Sequence, residues 1–585
     1  MTQQRVRGTR RVWLPAFFFG AFAVVIFGRL VQVQLIEHDI YAARAETERV
    51  GAETLNPPRG AILDRNGHVL ATSVNTWDVY VNSRAWRDGA DAESASQALA
   101  GLLQTDYDTG NIAAEQIRET VQQSKAVDVL VVRDIDYEVG LQVISAGIPG
   151  VILLSNTERV NPEGDTGASV LGFIGLDKSG LAGIEAQYED VLRGKPGKAI
   201  YERDTTGEPI PFGHYIAMDP VRGQDLVLTI DRYLQGLVEE RLAEAMEQHQ
   251  ARGGAIIVMN PKTGEILALA TSPGLKYSTL DLSDASQMEL LRNRAVTDLY
   301  EPGSVMKVIT AAAAIDRGVV RPDTTYVDTG VVNVEGTILN NWRYESYGLQ
   351  TMTGVLQHSI NTGAVFMVDL LGAEVFHEYL EAFGFGKPTG IDLNGESGGI
   401  VRRPNDPDWS PVDLATQAFG QSISVTPMQM ITAVAAVING GELVRPHFVK
   451  AYVDSDGTRR EVEPVVERRV ISEEASATLR QMLTDVIGPA SRLHPGKPDY
   501  YTAGGKSGTA NVAVWNGYDD TQIASFVGFA PADDPEILVL VKLDENQDFE
   551  TGTQAAAPVF AQLADEILQY LSIPPDDPVY VSGGR

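Results

Sequence analysis

Glu301-Pro302-Gly303-Ser304-Val305-Met306-Lys307 is the most informative stretch of this 585-residue chain, because it places a hydroxyl and an amine three residues apart. Pro302 and Gly303 interrupt the preceding structure, and the apolar, alanine-rich run 305–315 predicts a helix. On such a helix, Ser304 and Lys307 share one face at spacing i, i+3. The stretch therefore predicts a helix whose first turn carries a serine beside an amine.

A lysine beside this serine has a chemical use if its surroundings exclude water. Burial lowers the pKa of a lysine amine, and the free amine can take the proton of Ser304 while the serine oxygen attacks a carbonyl carbon. The alternative for Ser-x-x-Lys is an ordinary polar pair on a surface helix. The chain contains the pattern only once, because no other lysine has a serine three positions before it.

Two downstream segments favour the catalytic interpretation. Ser359-Ile360-Asn361 and Lys506-Ser507-Gly508-Thr509 complete the order Ser-x-x-Lys, Ser-x-Asn, Lys-Ser/Thr-Gly. Two imitations, Ser73-Val74-Asn75 and Lys262-Thr263-Gly264, precede the nucleophile, and the second lies in a predicted hairpin turn. Glycines on both sides of Lys506 predict a strand at a sheet edge, along which a peptide ligand can lie.

In this order, the three motifs resemble those of class B penicillin-binding proteins, which are membrane-anchored peptidoglycan transpeptidases. The resemblance covers nearly the whole chain and extends to segments 59–67, 180–194, 228–235 and 420–441. It implies an α+β fold with a single N-terminal transmembrane helix, a mixed α/β pedestal domain and a penicillin-recognising serine transpeptidase domain. The last of these is an antiparallel sheet flanked by helices, plus an all-helical part.

The resemblance also implies the catalytic roles. Ser304 attacks the penultimate D-alanine carbonyl of a stem peptide that ends in D-Ala-D-Ala, and Lys307 is the general base. Ser359 relays a proton to the departing D-alanine. Asn361 and Lys506 hold the substrate amide and set the electrostatics of the cleft.

The third motif is expected to bind the substrate. Ser507 and Thr509 bind the terminal carboxylate, with Gly508 between them in the substrate-binding strand, and the backbone N–H groups of Ser304 and Thr509 form the oxyanion hole. An amine from a neighbouring stem then resolves the acyl-enzyme into a cross-link. By the same resemblance, β-lactams acylate the serine and no cofactor takes part.

Other functions remain open at this point. A D,D-carboxypeptidase or a β-lactamase-like hydrolase uses the same acyl-enzyme, and a β-lactam sensor or scaffold is non-catalytic. Between Ser359 and Lys506, no asparagine follows a glutamate by four residues, the pattern of the deacylating group in class A β-lactamases. Asn361 resembles the division-type enzymes, whereas an elongation-type transpeptidase often has aspartate there. The division type implies a polytopic glycosyltransferase partner.

The N-terminal segment predicts a membrane anchor. An uncharged apolar run from Val12 to Gly28 follows Arg5, Arg7, Arg10 and Arg11, and the transmembrane helix is expected over about 12–33. Arginines before the run and acids after it predict a cytoplasmic N-terminus and an extracytoplasmic catalytic domain at the cell membrane. A cleaved signal peptide is the alternative, but the run is longer than a usual signal-peptide core.

Composition excludes several classes of protein. A net charge of −31 repels nucleic acid, so no nucleic-acid partner is expected. The chain has no cysteine and its histidines form no ligand pair, so no metal site is predicted. His358 adjoins Ser359, and because neighbours on a helix project in different directions, His358 is expected to face away from the cleft.

Glycine turns, proline-rich stretches and changes in hydrophobic periodicity along the chain predict four regions. They are a cytoplasmic tail with the anchor (1–48), a pedestal or dimerisation domain (49–222), the transpeptidase domain (223–572) and a disordered tail (573–585). Predicted elements of the third region are helices over 231–249, 427–439 and 557–571, a hairpin over 255–270 and strands over 524–530 and 537–543. The acidic pairs Asp533-Asp534 and Asp576-Asp577 are expected in solvated turns.

Overall fold

The structure is a computed structural model, which describes residues 9–41, 50–88, 92–104, 112–202, 215–488, 494–514, 517–546 and 551–577. The chain divides into two compact units. One comprises Met1–Pro58 and Gly194–Gly223, and the other comprises Arg59–Arg193 and Gln224–Arg585. The predicted region boundaries remain predictions.

The strands, in chain order, are β1 (Val50–Leu55), β2 (Ile62–Leu63), β3 (Val69–Asn82), β4 (Asp128–Asp136), β5 (Val151–Val160), β6 (Gly197–Glu202), β7 (Tyr215–Met218), β8 (Asp225–Leu228), β9 (Gly253–Met259), β10 (Ile266–Ser272), β11 (Thr325–Asp328), β12 (Val331–Val334), β13 (Thr337–Asn340), β14 (Gly348–Thr351), β15 (Ile400–Val401), β16 (Ile423–Ser424), β17 (Glu442–Val444), β18 (Val449–Val453), β19 (Arg459–Glu461), β20 (Val466–Arg469), β21 (Gly504–Val514), β22 (Gly517–Ala530) and β23 (Ile537–Asn546).

The α-helices are α1 (Thr9–Val31), α2 (Ser83–Asp88), α3 (Ala92–Leu103), α4 (Ala114–Gln123), α5 (Tyr137–Ala146), α6 (Ala168–Leu171), α7 (Gly183–Gln187), α8 (Glu189–Leu192), α9 (Arg232–Gln248), α10 (Arg294–Thr297), α11 (Met306–Asp316), α12 (Met352–Gln357), α13 (Asn361–Leu371), α14 (Ala373–Ala382), α15 (Pro411–Gln417), α16 (Pro427–Ile438), α17 (Glu473–Ile487), α18 (Gly552–Ala555) and α19 (Ala557–Tyr570).

The first unit contains the predicted apolar helix. Helix α1 continues into a π-helical turn at Gln32–Ile36, and the apolar segment Trp13–Ile36 is long enough to cross a bilayer and is not buried within the protein. The same unit contains an antiparallel sheet in the order β1-β6-β7.

A seven-stranded sheet in the second unit draws strands from distant parts of the chain. Its order is β19-β18-β8-β2-β3-β4, with β5 also paired to β3. Strands β18 and β19 come from beyond the second motif, yet they extend the sheet that the pedestal segment begins. Arg59 is buried beside this sheet, where it contacts Glu185 and Glu189 at 2.6 Å each, and Arg159 contacts Glu185 at 2.7 Å.

The catalytic half is built on a five-stranded antiparallel sheet in the order β10-β9-β23-β22-β21. Helices α9 and α19 cover one face and form a core with residues such as Ile256, Phe526 and Phe560. The other face packs on the helical part through residues such as Ile257 and Leu540. Strand β21, which contains the third motif, forms one edge of the sheet.

Local sequence signals explain the helix boundaries in this half. The Asp231 side chain accepts hydrogen bonds from the N–H groups of Tyr233 and Leu234 and so caps α9. Thr426 caps α16, Pro427 is its first residue, and every residue of α16 is buried. These bounds agree closely with the predicted helices.

The described part of the C-terminal segment differs from the prediction. Asp577 is 4% exposed and pairs with Lys497, and Asp576 accepts hydrogen bonds from the backbone and side chain of Thr502. The Tyr501 hydroxyl also donates to the carbonyl of Ile573. Residues 573–577 are therefore ordered against the catalytic half rather than part of a solvated turn, and residues 578–585 lie outside the described residues.

Candidate active site

The candidate nucleophile lies on a tight turn that leads into a buried helix. Ser304 is in a 3₁₀ turn at Gly303–Val305, and α11 begins at Met306, one residue later than predicted. Gly303 has a φ of 52°, and its N–H donates to the carbonyl of Gly420, which fixes the turn from the opposite side. Lys307 is fully buried, and its Nζ lies 3.0 Å from Ser304 Oγ.

The second motif converges on the same amine. Ser359 occupies the turn between α12 and α13 with a φ of 55°, and Asn361 is the first residue of α13. The Lys307 Nζ lies 3.3 Å from Ser359 Oγ, 2.5 Å from the Ser359 carbonyl oxygen and 2.7 Å from Asn361 Oδ1. The Asn361 amide nitrogen donates to the carbonyl of Asn340 at 2.9 Å.

The third motif forms the neighbouring wall. Lys506 is 1% exposed and its Nζ donates to the Ser507 carbonyl at 3.0 Å. Gly508 approaches the nucleophile turn so closely that an added Cβ would lie 2.6 Å from the Pro302 carbonyl oxygen. Strand β21 therefore packs directly against the turn that carries the serine.

The hydroxyl side chains of this strand are held by the segment that precedes α19. The Thr553 hydroxyl donates to Ser507 Oγ at 2.9 Å, and the Gly552 N–H donates to Thr509 Oγ1 at 3.0 Å. Both contacts orient hydroxyls of the third motif, and the residues involved line the cleft or adjoin it.

Burial dominates the electrostatics of the two motif lysines. The pKa of Lys307 lies well below its usual value because of burial first and the nearby charge of Lys506 second. Burial also lowers the pKa of Lys506, to about 7. The shift favours the neutral form of the amine beside Ser304, which is the form that a general base requires.

These elements enclose a cleft of about 290 Å³. Its described lining residues are Gly303, Ser304, Trp342, Tyr347, His358, Ser359, Asn361, Phe419, Gln421, Ser507, Thr509, Ala510, Asn511, Thr551 and Thr553. None of these is an aspartate or glutamate. Among the residues that the structure describes, no group of three or more His, Cys, Asp and Glu is arranged to hold a metal ion.

The predicted orientation of His358 is wrong. His358 lines the cleft and its ring stacks on that of Tyr347 with centroids 5.1 Å apart. The helical argument fails because α12 ends at Gln357 and the left-handed turn at Ser359 redirects the chain.

The cleft lining also includes four residues for which the sequence predicts no role, namely Trp342, Tyr347, Phe419 and Thr553. The signal for the first two is the aromatic segment 342–347, which is exposed in part despite its apolar rings. Thr553 lies far along the chain from every motif, so only the fold brings it to Ser507.

Comparisons with known proteins agree with this geometry. Residues 254–565 match the penicillin-binding protein transpeptidase domain, and residues 54–228 match the penicillin-binding protein dimerisation domain. Stage V sporulation protein D of Bacillus subtilis is 34% identical over 97% of this chain and 86% of its own length. Peptidoglycan D,D-transpeptidase FtsI of Escherichia coli is 29% identical over 96% of this chain and 93% of its own length.

A solved penicillin-binding protein structure has the same fold as this chain. Penicillin-binding protein 2X from Streptococcus thermophilus superposes with a TM-score of 0.75 at 26% identity, over 89% of this chain and 80% of that chain. With a transpeptidase model that matches more than half of its residues and a relative at 34% identity, the chain belongs to the class B penicillin-binding proteins.

Proposed function

We propose that this chain is a division-type peptidoglycan D,D-transpeptidase that cross-links stem peptides through a serine acyl-enzyme. The observation that supports this most is the set of contacts around one buried amine. Lys307 Nζ contacts Ser304 Oγ, Ser359 Oγ and Asn361 Oδ1 within 3.3 Å. Two sequence-distant motifs thus meet at a lysine whose lowered pKa suits proton transfer.

In the acylation step, Ser304 Oγ attacks the carbonyl carbon of the penultimate D-alanine, and Lys307 takes the serine proton. Ser359 passes its proton to the nitrogen of the terminal D-alanine as the C–N bond breaks, and takes up the proton that Lys307 holds. D-alanine leaves, the acyl group stays on Ser304 as an ester, and Lys307 is again a neutral amine. The backbone N–H groups of Ser304 and Thr509 stabilise the tetrahedral oxyanion, and each such donor typically contributes about 3 kcal/mol. A β-lactam reacts in the same way, except that its leaving nitrogen stays attached.

The second half-reaction transfers the acyl group to an amine of a neighbouring stem. The amine attacks the ester carbonyl, its proton passes to Lys307, and the Ser304 hydroxyl is regenerated. In a class A β-lactamase a glutamate activates the hydrolytic water, and the described lining of the cleft has no carboxylate for this purpose. This disfavours a β-lactamase reaction, and the ratio of exchange product to free acid distinguishes amine transfer from a carboxypeptidase reaction.

We extend the proposal to the residues of the third motif and to the surroundings of the enzyme. Lys506 sets the electrostatics of the cleft, and Ser507 and Thr509 bind the substrate carboxylate beside Gly508. The segment Trp13–Ile36 anchors the chain with a cytoplasmic N-terminus, because arginines precede it. A polytopic glycosyltransferase supplies the glycan strands that carry the donor stems.

Mass spectrometry of the detergent-solubilised full chain tests the reaction. After incubation with benzylpenicillin, the peptide that contains Ser304 is expected to carry the adduct. With a thioester stem-peptide mimic and a D-amino acid, the amide exchange product is expected to exceed the hydrolysed acid. An adduct on another residue would remove Ser304 from its role, and free acid alone would make the protein a hydrolase.

A further inference from the structure

Asp328, at the end of β11, is a buried carboxylate outside the three motifs. It is 2% exposed, and its oxygens accept hydrogen bonds from the N–H groups of Gly330 and Tyr347, at 3.0 and 2.7 Å. The Asn341 amide contacts both oxygens at 3.0 Å, and the Thr362 hydroxyl donates at 2.5 Å. Every one of these partners is a donor, so the site suits a carboxylate and has no place for a group that donates.

The ionised form of Asp328 is the one that this environment stabilises. Burial by itself would raise the pKa of the carboxyl group, but the hydrogen bonds, led by that from Thr362, hold the pKa below its usual range. The carboxylate also lies at the N-terminus of α13, where the helix dipole favours a negative charge.

From Asp328, a short series of contacts leads to the catalytic amine. Asn341, which donates to Asp328, accepts a hydrogen bond from the Thr362 N–H at 3.1 Å. The residues that precede these two, Asn340 and Asn361, make the next contact, in which the Asn361 side-chain amide donates to the Asn340 carbonyl oxygen. The side-chain oxygen of Asn361 in turn accepts a hydrogen bond from Lys307. The carboxylate therefore joins segment 340–341 to the helix start that places Asn361 against Lys307.

The same carboxylate holds the rim of the cleft. Segment 341–347 carries Trp342 and Tyr347, which line the cleft, and it includes two non-glycine residues with positive φ, Arg343 at 53° and Tyr344 at 61°. Such backbone conformations cost energy and persist only where other contacts enforce them. Both ends of this segment are bound to Asp328, through the side chain of Asn341 and the N–H of Tyr347.

We propose that Asp328 is a positioning residue of the acylation reaction, which fixes Asn361 relative to Lys307 and holds the aromatic rim formed by Trp342 and Tyr347. This inference deepens the proposed function and rests on it. Asp328 touches neither the nucleophile nor the cleft, so it acts through the residues that it holds.

Asp328→Asn is the direct test, because it keeps the shape of the side chain but points an NH₂ group at donors. Acylation of the detergent-solubilised full chain by a chromogenic cephalosporin is measured at several cephalosporin concentrations. This gives the noncovalent dissociation constant and the first-order acylation rate constant separately, each per folded molecule. We expect the rate constant to fall about 10- to 100-fold, as for loss of a group that orients a proton-transfer residue. The acid limb of the rate profile is expected to move to higher pH, because a loosened Lys307 regains solvent and its pKa rises.

Asp64→Asn is the matched control. Asp64 is also fully buried and accepts hydrogen bonds from the N–H groups of Asn66, His68 and Arg232, none of which lines the cleft. A comparable loss of thermal stability with an unchanged acylation rate and pH profile is expected. If Asp328→Asn gives the same result as this control, Asp328 is only a structural residue and the proposal is overturned.

Thr362→Val provides a milder variant that decides the matter should Asp328→Asn fail to fold. It removes one donor to Asp328 and is expected to lower the acylation rate constant about 3- to 10-fold with the same shift of the acid limb. An unchanged rate and profile in this variant would overturn the proposal. Failure of the wild-type chain to form an adduct at Ser304 would instead overturn the proposed function, so the two failures are distinguishable.

Discussion

Lys307 is the residue on which the proposed chemistry depends most. Its amine is fully buried and contacts the nucleophile and both polar side chains of the second motif. Lys307→Ala is expected to lower the acylation rate constant by about 10²- to 10⁴-fold, the usual contribution of a general base, with little effect on noncovalent β-lactam binding. Stopped-flow acylation with a chromogenic cephalosporin measures both constants.

The chain offers a matched control for this lysine. Lys262 belongs to the imitation motif Lys262-Thr263-Gly264, is 39% exposed and pairs with Asp534 and Glu536 away from the cleft. Lys262→Ala is expected to leave acylation unchanged, whereas Ser304→Ala is expected to abolish labelling. Equal losses of binding and rate in Lys307→Ala would show that this lysine is structural.

Lys506 makes stability depend on pH. Its pKa in the folded protein is about 7, below the ordinary lysine value of 10.5, so between these values the unfolded chain binds more protons than the folded chain. The free energy of unfolding therefore rises with pH across this window. Relative to Lys506→Met, the wild-type chain is expected to gain about 4 kcal/mol between pH 7 and pH 10.

Thermal unfolding of the two proteins at several pH values checks this prediction. The Tm of Lys506→Met is expected to exceed that of the wild type at pH 7, and the gap is expected to narrow towards pH 10. A gap that is constant or widens with pH would mean that Lys506 stays protonated in the folded state.

At the scale of elements, the site depends on the close approach of β21 to the 3₁₀ turn that carries Ser304. Gly508 makes this approach possible, since a Cβ there would lie 2.6 Å from both the Pro302 carbonyl oxygen and Ser525 Oγ. Gly508→Ala is expected to destabilise the fold by about 1–3 kcal/mol, as overpacking does, and to reduce acylation sharply by displacing the strand.

Gly236→Ala is the control for this substitution. Gly236 lies inside α9, and an added Cβ there meets no other atom within 4 Å. The change is expected to raise stability by about 0.5–1 kcal/mol and to leave acylation unchanged. Full acylation activity in Gly508→Ala would contradict the tight packing of β21 on the turn.

Elements set by short-range signals could be predicted from the sequence, and those set by long-range pairing could not. The caps at Asp231 and Thr426 and the i, i+3 spacing of Ser304 and Lys307 are local, so the helices appear where expected. The second and third motifs both line the cleft, through Ser359 and Ser507, and this was expected from the family resemblance rather than from spacing. The addition of β18 to the pedestal sheet has no local signal.

Two predictions were wrong because the actual positions of the side chains depend on the fold and not on the local sequence pattern. His358 was expected to face away from the cleft on a continuous helix, but the positive φ of Ser359 ends that regularity. Asp576 and Asp577 were expected in solvent because acidic turns usually lie there, but Thr502 and Lys497 provide partners more than seventy residues earlier in the chain. Asp328 could not be identified from the sequence for the same reason, since the groups that donate hydrogen bonds to it are distributed over residues 330–362.

At the scale of the whole molecule, the predicted orientation across the membrane can be measured because the chain has no cysteine. Single cysteines introduced by Thr2→Cys and by Arg321→Cys, whose native side chain is 80% exposed, mark the N-terminus and the catalytic half. In spheroplasts, a membrane-impermeant maleimide is expected to label the second variant and to label the first only after lysis. Labelling of the first without lysis would reverse the topology.

The proposed reaction requires three segments that are distant in the sequence to meet around one activated serine. A crystal structure of the penicillin adduct would show whether they do. We predict an ester bond to Ser304 Oγ, with Lys307, Ser359 and Asn361 in hydrogen-bonding contact around it and the ligand carboxylate against Ser507 and Thr509. An adduct on another residue, or Ser359 and Lys506 turned to bulk solvent away from the ester, would show that the three segments do not form one active site around Ser304.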